Sequence, residues 1–251
     1  MSNLTTQKTE QKLQVFTSGT ELGAIDNLSA SDIQVPCLIL VQKMTDLEGD
    51  YKEGDMVHSI SGDTIGSEKD PLELVVADCY ITQVWYEGKN WVKTLEWDES
   101  LMASDPYESD INGVKTKKQK CYNYVCFRAL DIDEQQSEPS PMIVKFKGAS
   151  GKFGRKFNTE LREMALGAFK APSWALTFNL TTHTEENEHG KFMVLEMKKG
   201  KLAIKEQQLA ALALMKSWRS AKQHGEVQVV DSEEKVVSND VPNHAPGVGS
   251  F

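Results

Sequence analysis

No run in this chain approaches the roughly 18 apolar residues that a membrane-crossing helix needs. The opening residues, MSNLTTQKTEQKL, are polar and lack the apolar centre of a secretory signal, so a cytoplasmic protein is expected. Cysteine is scarce. Four residues, at 37, 79, 121 and 126, form no Cys-x-x-Cys pair and no disulfide-rich spacing, which points to reduced thiols. There is no G-x-S-x-G elbow and no His with an obvious catalytic partner. Gly148, Gly151 and Gly154 recur every third residue around Lys152, but not in the G-x-x-x-x-G-K-[ST] order of a phosphate-cradling loop. These gaps lead to the expectation of a non-enzyme without cofactor or metal.

What the chain has is a divided charge. Over 251 residues it carries 28 basic and 37 acidic groups, net −9, which by itself argues against a polyanion partner. Residues 1–114 are net −14, residues 115–222 net +9 and residues 223–251 net −4. A basic centre flanked by acid has two readings. It is a polyanion site, or acid and base pair with each other in the fold.

The basic centre peaks at Lys145–Phe157, KFKGASGKFGRKF, with four Lys, one Arg, three Gly, Phe at 146, 153 and 157, and no acid. Cations neutralise phosphates, Gly lets the backbone come close, and an exposed Phe offers a base a face to stack on. Phe157, Leu161, Met164 and Ala168 are spaced for an amphipathic helix over 155–168, which makes Phe157 a core residue. Ser150 is a candidate N-cap.

Around this stretch the pattern is mostly strand. Asp32–Gln42 is the first dense apolar run, with Pro36 arguing against a helix through its middle. Ser61–Thr64 separates two short apolar stretches as a hairpin turn would. Pro71–Gly88 is the strongest strand signal, and Asn90–Glu99 follows with more rings. Trp85, Trp91 and Trp97 fall here, where core or sheet packing is the commoner use of the ring. Residues 98–120 read as a polar loop that turns basic after Gly113, delivering Lys115, Lys117, Lys118 and Lys120 beside the strand CYNYVCFRAL. Tyr122 and Tyr124 share one face of that strand by alternation. Pro172–Thr182 and Lys191–Met197 form a hairpin, and Lys201–Lys222 a long helix suited to packing on the sheet or to self-association.

Three segments follow: a mobile lead-in over 1–31, a single domain over 32–222, and a disordered acidic tail over 223–251. The fold expectation is α+β, a β-rich OB-like barrel with two appended helices. The functional expectation is single-stranded DNA binding without sequence preference. Lys145, Lys147, Lys152, Arg155 and Lys156 would contact phosphates, with Lys115, Lys117, Lys118 and Lys120 as a second group. Phe153 is the first choice of stacking ring, then Tyr122 or Tyr124. The acidic tail would compete for the basic groove as a tethered polyanion, and Phe251 would dock on replication or recombination proteins.

Three other readings stand beside this one. Cys121 and Cys126 with His183 and His189 have zinc-like spacing, but alternation points the two Cys to opposite faces. Glu196-Met197-Lys198 on a strand, or the acids Asp46, Glu48, Asp50, Glu53 and Asp55, could serve a metal-dependent nuclease. An acidic N-terminal half could also mimic nucleic acid toward a basic host enzyme.

The runs Asp32–Gln42, Gly54-Asp55 with Ser61-Gly62-Asp63, and Gly151–Thr159 ahead of a Pro-Ser-Trp strand together resemble a group of bacteriophage replication-region proteins of the single-stranded DNA-binding kind. The resemblance covers about residues 30–222. It implies an OB-like barrel, no catalysis, location in the host cytoplasm, and a role in replication, recombination or repair of phage DNA. The tail resembles those of bacterial and phage single-strand binders in ending on Phe, but its last acid is Asp240, well before the VPNHAPGVGSF end.

Overall fold

A computed structural model describes residues 35–43, 50–87, 90–99, 108–111, 114–132, 139–166, 169–188 and 190–223. The lead-in, the acidic tail and Phe251 lie outside them. So do His189 and the acids Asp46 and Glu48.

Two long antiparallel strands form the spine. β4 (Leu72–Glu87) pairs with β7 (Val114–Arg128) along nearly their whole lengths. Val, Ile, Tyr, Phe and Trp crowd both segments, and such side chains fit a pleated, half-covered surface. At one end the spine is flanked by β11 (Leu176–Asn187) beside β4 and β8 (Met142–Phe146) beside β7. At the other end it is flanked by β5 (Asn90–Glu96) and β6 (Glu108–Ile111). β12 (Gly190–Leu202) closes a long hairpin with β11. The result is one seven-stranded sheet with a broad end and a narrower four-stranded arm. A register shift between Val76 and Asp78 marks the junction.

A smaller sheet joins β1 (Leu38–Leu40), β2 (Met56–His58) and β3 (Thr64–Gly66). The turn between β2 and β3 holds Gly62 at φ +74°, a left-handed conformation that suits Gly. β1 also reaches both rims of the broad end. Ile143 donates its N–H to the Pro36 carbonyl at 2.8 Å, and the Gln42 amide exchanges two bonds with the Met193 backbone, at 2.7 and 3.0 Å. No ladder among the described residues joins β12 to β8, so the sheet curls without closing into a barrel. The coarse expectation, a strand-rich mixed fold with two helices, is what the described residues show.

The two helices cover opposite faces of the broad end. Helix α1 (Gly151–Glu163) begins four residues before the sequence pattern suggested and contains most of the basic stretch. It presses Phe157 onto a core formed by Leu72, Leu74, Val76, Tyr124, Cys126, Val144, Phe146, Phe178 and Leu180. The rings of Tyr124, Phe146, Phe157 and Phe178 meet edge to face at centroid distances of 4.9–5.5 Å, which adds about 0.5–1.5 kcal/mol per pair beyond burial. Helix α2 (Lys205–Gln223) covers the other face with Ala210, Ala211 and Trp218. Both faces of β7 are therefore covered at this end, and every residue from Cys121 to Phe127 is buried. Neither helix is long and apolar enough to cross a membrane.

Candidate nucleic-acid interface

The segment from Lys145 to Phe157 divides into a strand end, a turn and a helix. Lys145 and Lys147 lie at the end of β8. Gly148 takes φ +53° in the turn that follows. Ser150 occupies the N-cap position of α1, but its hydroxyl accepts the Leu195 N–H at 3.0 Å instead of capping the helix. The glycines serve packing more than ligand approach. A Cβ on Gly154 would stand 2.7 Å from Phe146 Cβ and 2.9 Å from Tyr122 Cδ2, so Gly154 is what lets α1 lie close on the sheet.

The cations of α1 are largely engaged by the β11–β12 hairpin. Lys152 meets Glu185 at 2.6 Å, and Lys156 meets Glu196 at 3.6 Å. Glu196 also holds Lys198 at 2.9 Å, and His183 lies within 4.0 Å of both carboxylates. Partial burial pushes the Glu196 carboxyl up, but the Lys198 hydrogen bond and the charges of Lys198, Lys156 and His183 outweigh it and hold the pKa below its usual value. Phe153 packs its ring edge to face with His183 at 5.1 Å. Arg155 is exposed on the helix. The acid–base pairing reading thus describes this half of the basic centre.

The second lysine group is in a strand, not a loop. Lys115–Lys120 belong to β7, paired with β4 and β6. Phe146 opposite Tyr122 brings Lys147 beside the same strand, and its Nζ donates to Tyr86 Oη at 2.9 Å. Lysines some 25 residues apart in the chain thereby reach one sheet. Lys117 is exposed. Lys118 is buried with its Nζ 4.2 Å from the Trp85 ring centroid, and Lys120 Nζ sits 3.8 Å from the Trp97 centroid. The side chain of Lys115 lies outside the described set.

Tyr122 and Tyr124 are not surface platforms. Tyr124 is 0% exposed, and its hydroxyl donates within the core to Asn158 Oδ1 at 2.8 Å and lies 3.0 Å from the Gly154 carbonyl. Tyr122 is 7% exposed under α1. Alternation assigned them to one face correctly, but that face is the one the helix covers.

Sequence reasoning passed over Lys93, Gln83, Trp85 and Trp97 as a group. Cross-strand register aligns Lys93, Trp85 and Lys118 in one row and Leu95, Gln83 and Lys120 in the next. Lys93 Nζ lies 4.1 Å from the Trp85 centroid. The signal was present as Trp and Lys at period two in two neighbouring strand patterns.

The other chemistry does not assemble. Cys121 and Cys126 are both buried in the sheet, and no group of three or more metal-ligating side chains occurs among the described residues. Glu196 and Lys198, the acid-x-Lys pair, bond to each other. A cleft of about 500 Å³ opens at the β4 junction between Tyr80, Trp174, Asn158, Arg162 and Arg219. Arg219 is held there by a two-pronged bond to Asp78, at 2.8 and 2.9 Å.

A family model described as Pam3 phage gp34-like protein matches residues 7–224. No curated protein and no solved structure matches the chain.

Proposed function

We propose that this chain, which belongs to the Pam3 phage gp34-like protein family and is a phage protein, binds single-stranded DNA without reading its sequence. The observation that carries the reading is the meeting of Lys93 from β5 and Lys120 from β7 with the Trp85 and Trp97 rings on one face of the arm. Ammonium groups on such a surface neutralise backbone phosphates, and neighbouring rings take bases at about 1–3 kcal/mol each. Such a surface needs no base-edge contacts, so it discriminates strand form more than sequence. Phage DNA replication, recombination or repair is where a protein of this kind acts.

Lys93 and Lys120 form the phosphate track on the Trp85 face of the arm, while Lys117 and Lys147 meet Tyr86 on the reverse face. Lys152, Lys156 and Arg155 extend it along α1 where DNA displaces the hairpin carboxylates. The OB-like reading of the fold belongs to the same proposal. It is supported by five strands, β12-β11-β4-β7-β8, curled over one core with β1 across the gap, since OB folds are five-stranded and partly open.

The test is fluorescence anisotropy of a labelled oligo-dT and a matched duplex, titrated at several salt concentrations. Tight single-strand binding, weak duplex binding and a salt slope of about −0.7 per neutralised phosphate are expected. Absence of single-strand binding at low salt, with the tail after residue 225 removed as well, refutes the proposal and favours the nucleic-acid-mimicking reading. Cleavage of the oligonucleotide on adding magnesium or manganese would favour the nuclease reading.

A further inference from the structure

Polar atoms buried without partners are few in folded proteins, and each invites an explanation. Three of them fall on one face of the arm. Trp85 Nε1, Trp97 Nε1 and Gln83 Oε1 have no hydrogen-bond partner among the described residues, although Gln83 is 1% and Trp85 8% exposed. The Gln83 amide uses its other end, donating Nε2 to the Glu96 carbonyl at 3.4 Å. Register places Gln83 and Trp85 on the face that also carries Lys93, Lys118 and Lys120, and Lys120 over the Trp97 ring joins Trp97 to it.

The cations nearest these atoms are held by rings. Lys93 lies over Trp85 and Lys120 over Trp97, and neither has a carboxylate within ion-pair reach among the described residues. Lys93 is exposed. An anion drawn to Lys93 or Lys120 comes to the rings those cations cover, whose edges carry the indole N–H donors. Donors and cations together ask for an oxyanion. The remaining Gln83 oxygen asks for a donor, and at a rise of about 3.3–3.4 Å per residue it lies about 7 Å along β4 from Trp85. That separation matches a nucleotide, with phosphate at one end and base edge at the other.

We propose that this face of the β5–β4–β7 arm is a nucleotide subsite within the single-strand track. The Trp85 and Trp97 indole N–H groups donate to phosphodiester oxygens neutralised by Lys93 and Lys120. Gln83 Oε1 accepts an N–H from the base edge. The inference rests on the single-stranded DNA reading and adds the place and the donors.

The experiment uses the full chain with a dT oligomer of about 20 nucleotides, read by tryptophan fluorescence and by anisotropy. Trp85→Phe and Trp97→Phe keep a ring and delete the N–H. Each is expected to weaken binding about tenfold with an unchanged salt slope. Lys93→Ala should weaken binding and shallow the slope by about 0.7. Lys216→Ala, exposed on α2, should match the parent. Parent-like affinity in both Trp variants, with the parent binding well, overturns the subsite and leaves the broader reading standing. A parent that binds no single strand overturns both. Should a Trp variant fail to fold by circular dichroism, the parent's five indole ¹⁵N–H signals decide. Those of Trp85 and Trp97 must shift on adding dT, and their constancy overturns the proposal.

Discussion

Gly154→Ala and Gly151→Ala make the same chemical change three residues apart in α1, and the structure assigns them opposite signs. At Gly154 the new methyl would lie 2.7 Å from Phe146 Cβ and 2.9 Å from Tyr122 Cδ2. Carbon contacts settle near 3.5–4.0 Å, so helix and sheet must part by about 1 Å. Phe146 cannot swing away, because its Cβ is fixed to β8 and its ring is fully buried. Overpacking of this kind costs about 1–3 kcal/mol. Retreat of the helix also weakens the Tyr124 contact to the Gly154 carbonyl, about 1 kcal/mol more. Ala gains about 1 kcal/mol over Gly in helix propensity, which leaves a net loss of about 1–3 kcal/mol. At Gly151 nothing lies within 4 Å and the backbone is right-handed at φ −58°, ψ −30°. Ala there should stabilise by about 0.4–1 kcal/mol. Urea titration reads both as shifts of midpoint at constant slope. A Gly154→Ala midpoint at or above the parent's would refute the packing argument. Loss of DNA affinity in a fully stable Gly151→Ala would restore the idea that glycine admits a phosphate.

Phe157→Ala should cost about 3–5 kcal/mol, since it empties the ring cluster beneath α1, and thermal melting measures it. Lys93→Ala with Lys120→Ala should reduce the salt slope for oligo-dT by about 1.4, whereas Lys152→Ala should change it little because Glu185 already holds that ammonium. Glu196 has its pKa held below the ordinary 4.5, so its stabilising charge is present above that pH and fades as pH falls through the lower folded value; Glu196→Gln should flatten the acid-side decline of stability in pH titrations of the urea midpoint. Cys79 is the one exposed thiol among the four, with burial of its sulfur and the Asp78 charge raising its pKa. Maleimide should modify Cys79 alone in the native protein, and slowly at neutral pH, as peptide mass mapping would show.

The elements with strong local preference were legible. The aromatic and β-branched run over β4 and the β2–β3 turn appear where the pattern puts them, and the β11–β12 hairpin forms with strands shifted and lengthened to Leu176–Asn187 and Gly190–Leu202. Lys115–Lys120 read as loop because lysine-rich segments have weak strand preference. Pairing to β4 along one side overrides that preference, and the pairing is invisible without the partner. The start of α1 was placed late because Gly151 and Gly154 look like helix breakers, while the contact that repays Gly154 comes from β7 and β8. Tyr122 and Tyr124 show the limit of alternation. Period two separates the faces of a strand, but only the positions of α1 and α2 decide that both faces of β7 are covered.

The same pairing logic ranks the cations as ligand sites. For DNA to reach Lys152 or Lys156, a phosphate must displace Glu185 or Glu196, and the exchange of one anion for another gains little. For DNA to reach Lys93 or Lys120, a phosphate displaces only a contact to an indole face, worth about 0.5–1 kcal/mol at an exposed site. The ring released by that exchange is not wasted, because it becomes available to a base. The α1 cations therefore act second, recruited once a strand already lies on the arm. Replacing Glu185 with Gln should free Lys152 and tighten DNA binding with a steeper salt slope. Replacing Trp97 with Leu should loosen binding although it frees Lys120, because the stacking face is gone. If Trp97→Leu bound more tightly than the parent, the rings would be guarding the lysines rather than serving the ligand, and the arm would be no platform.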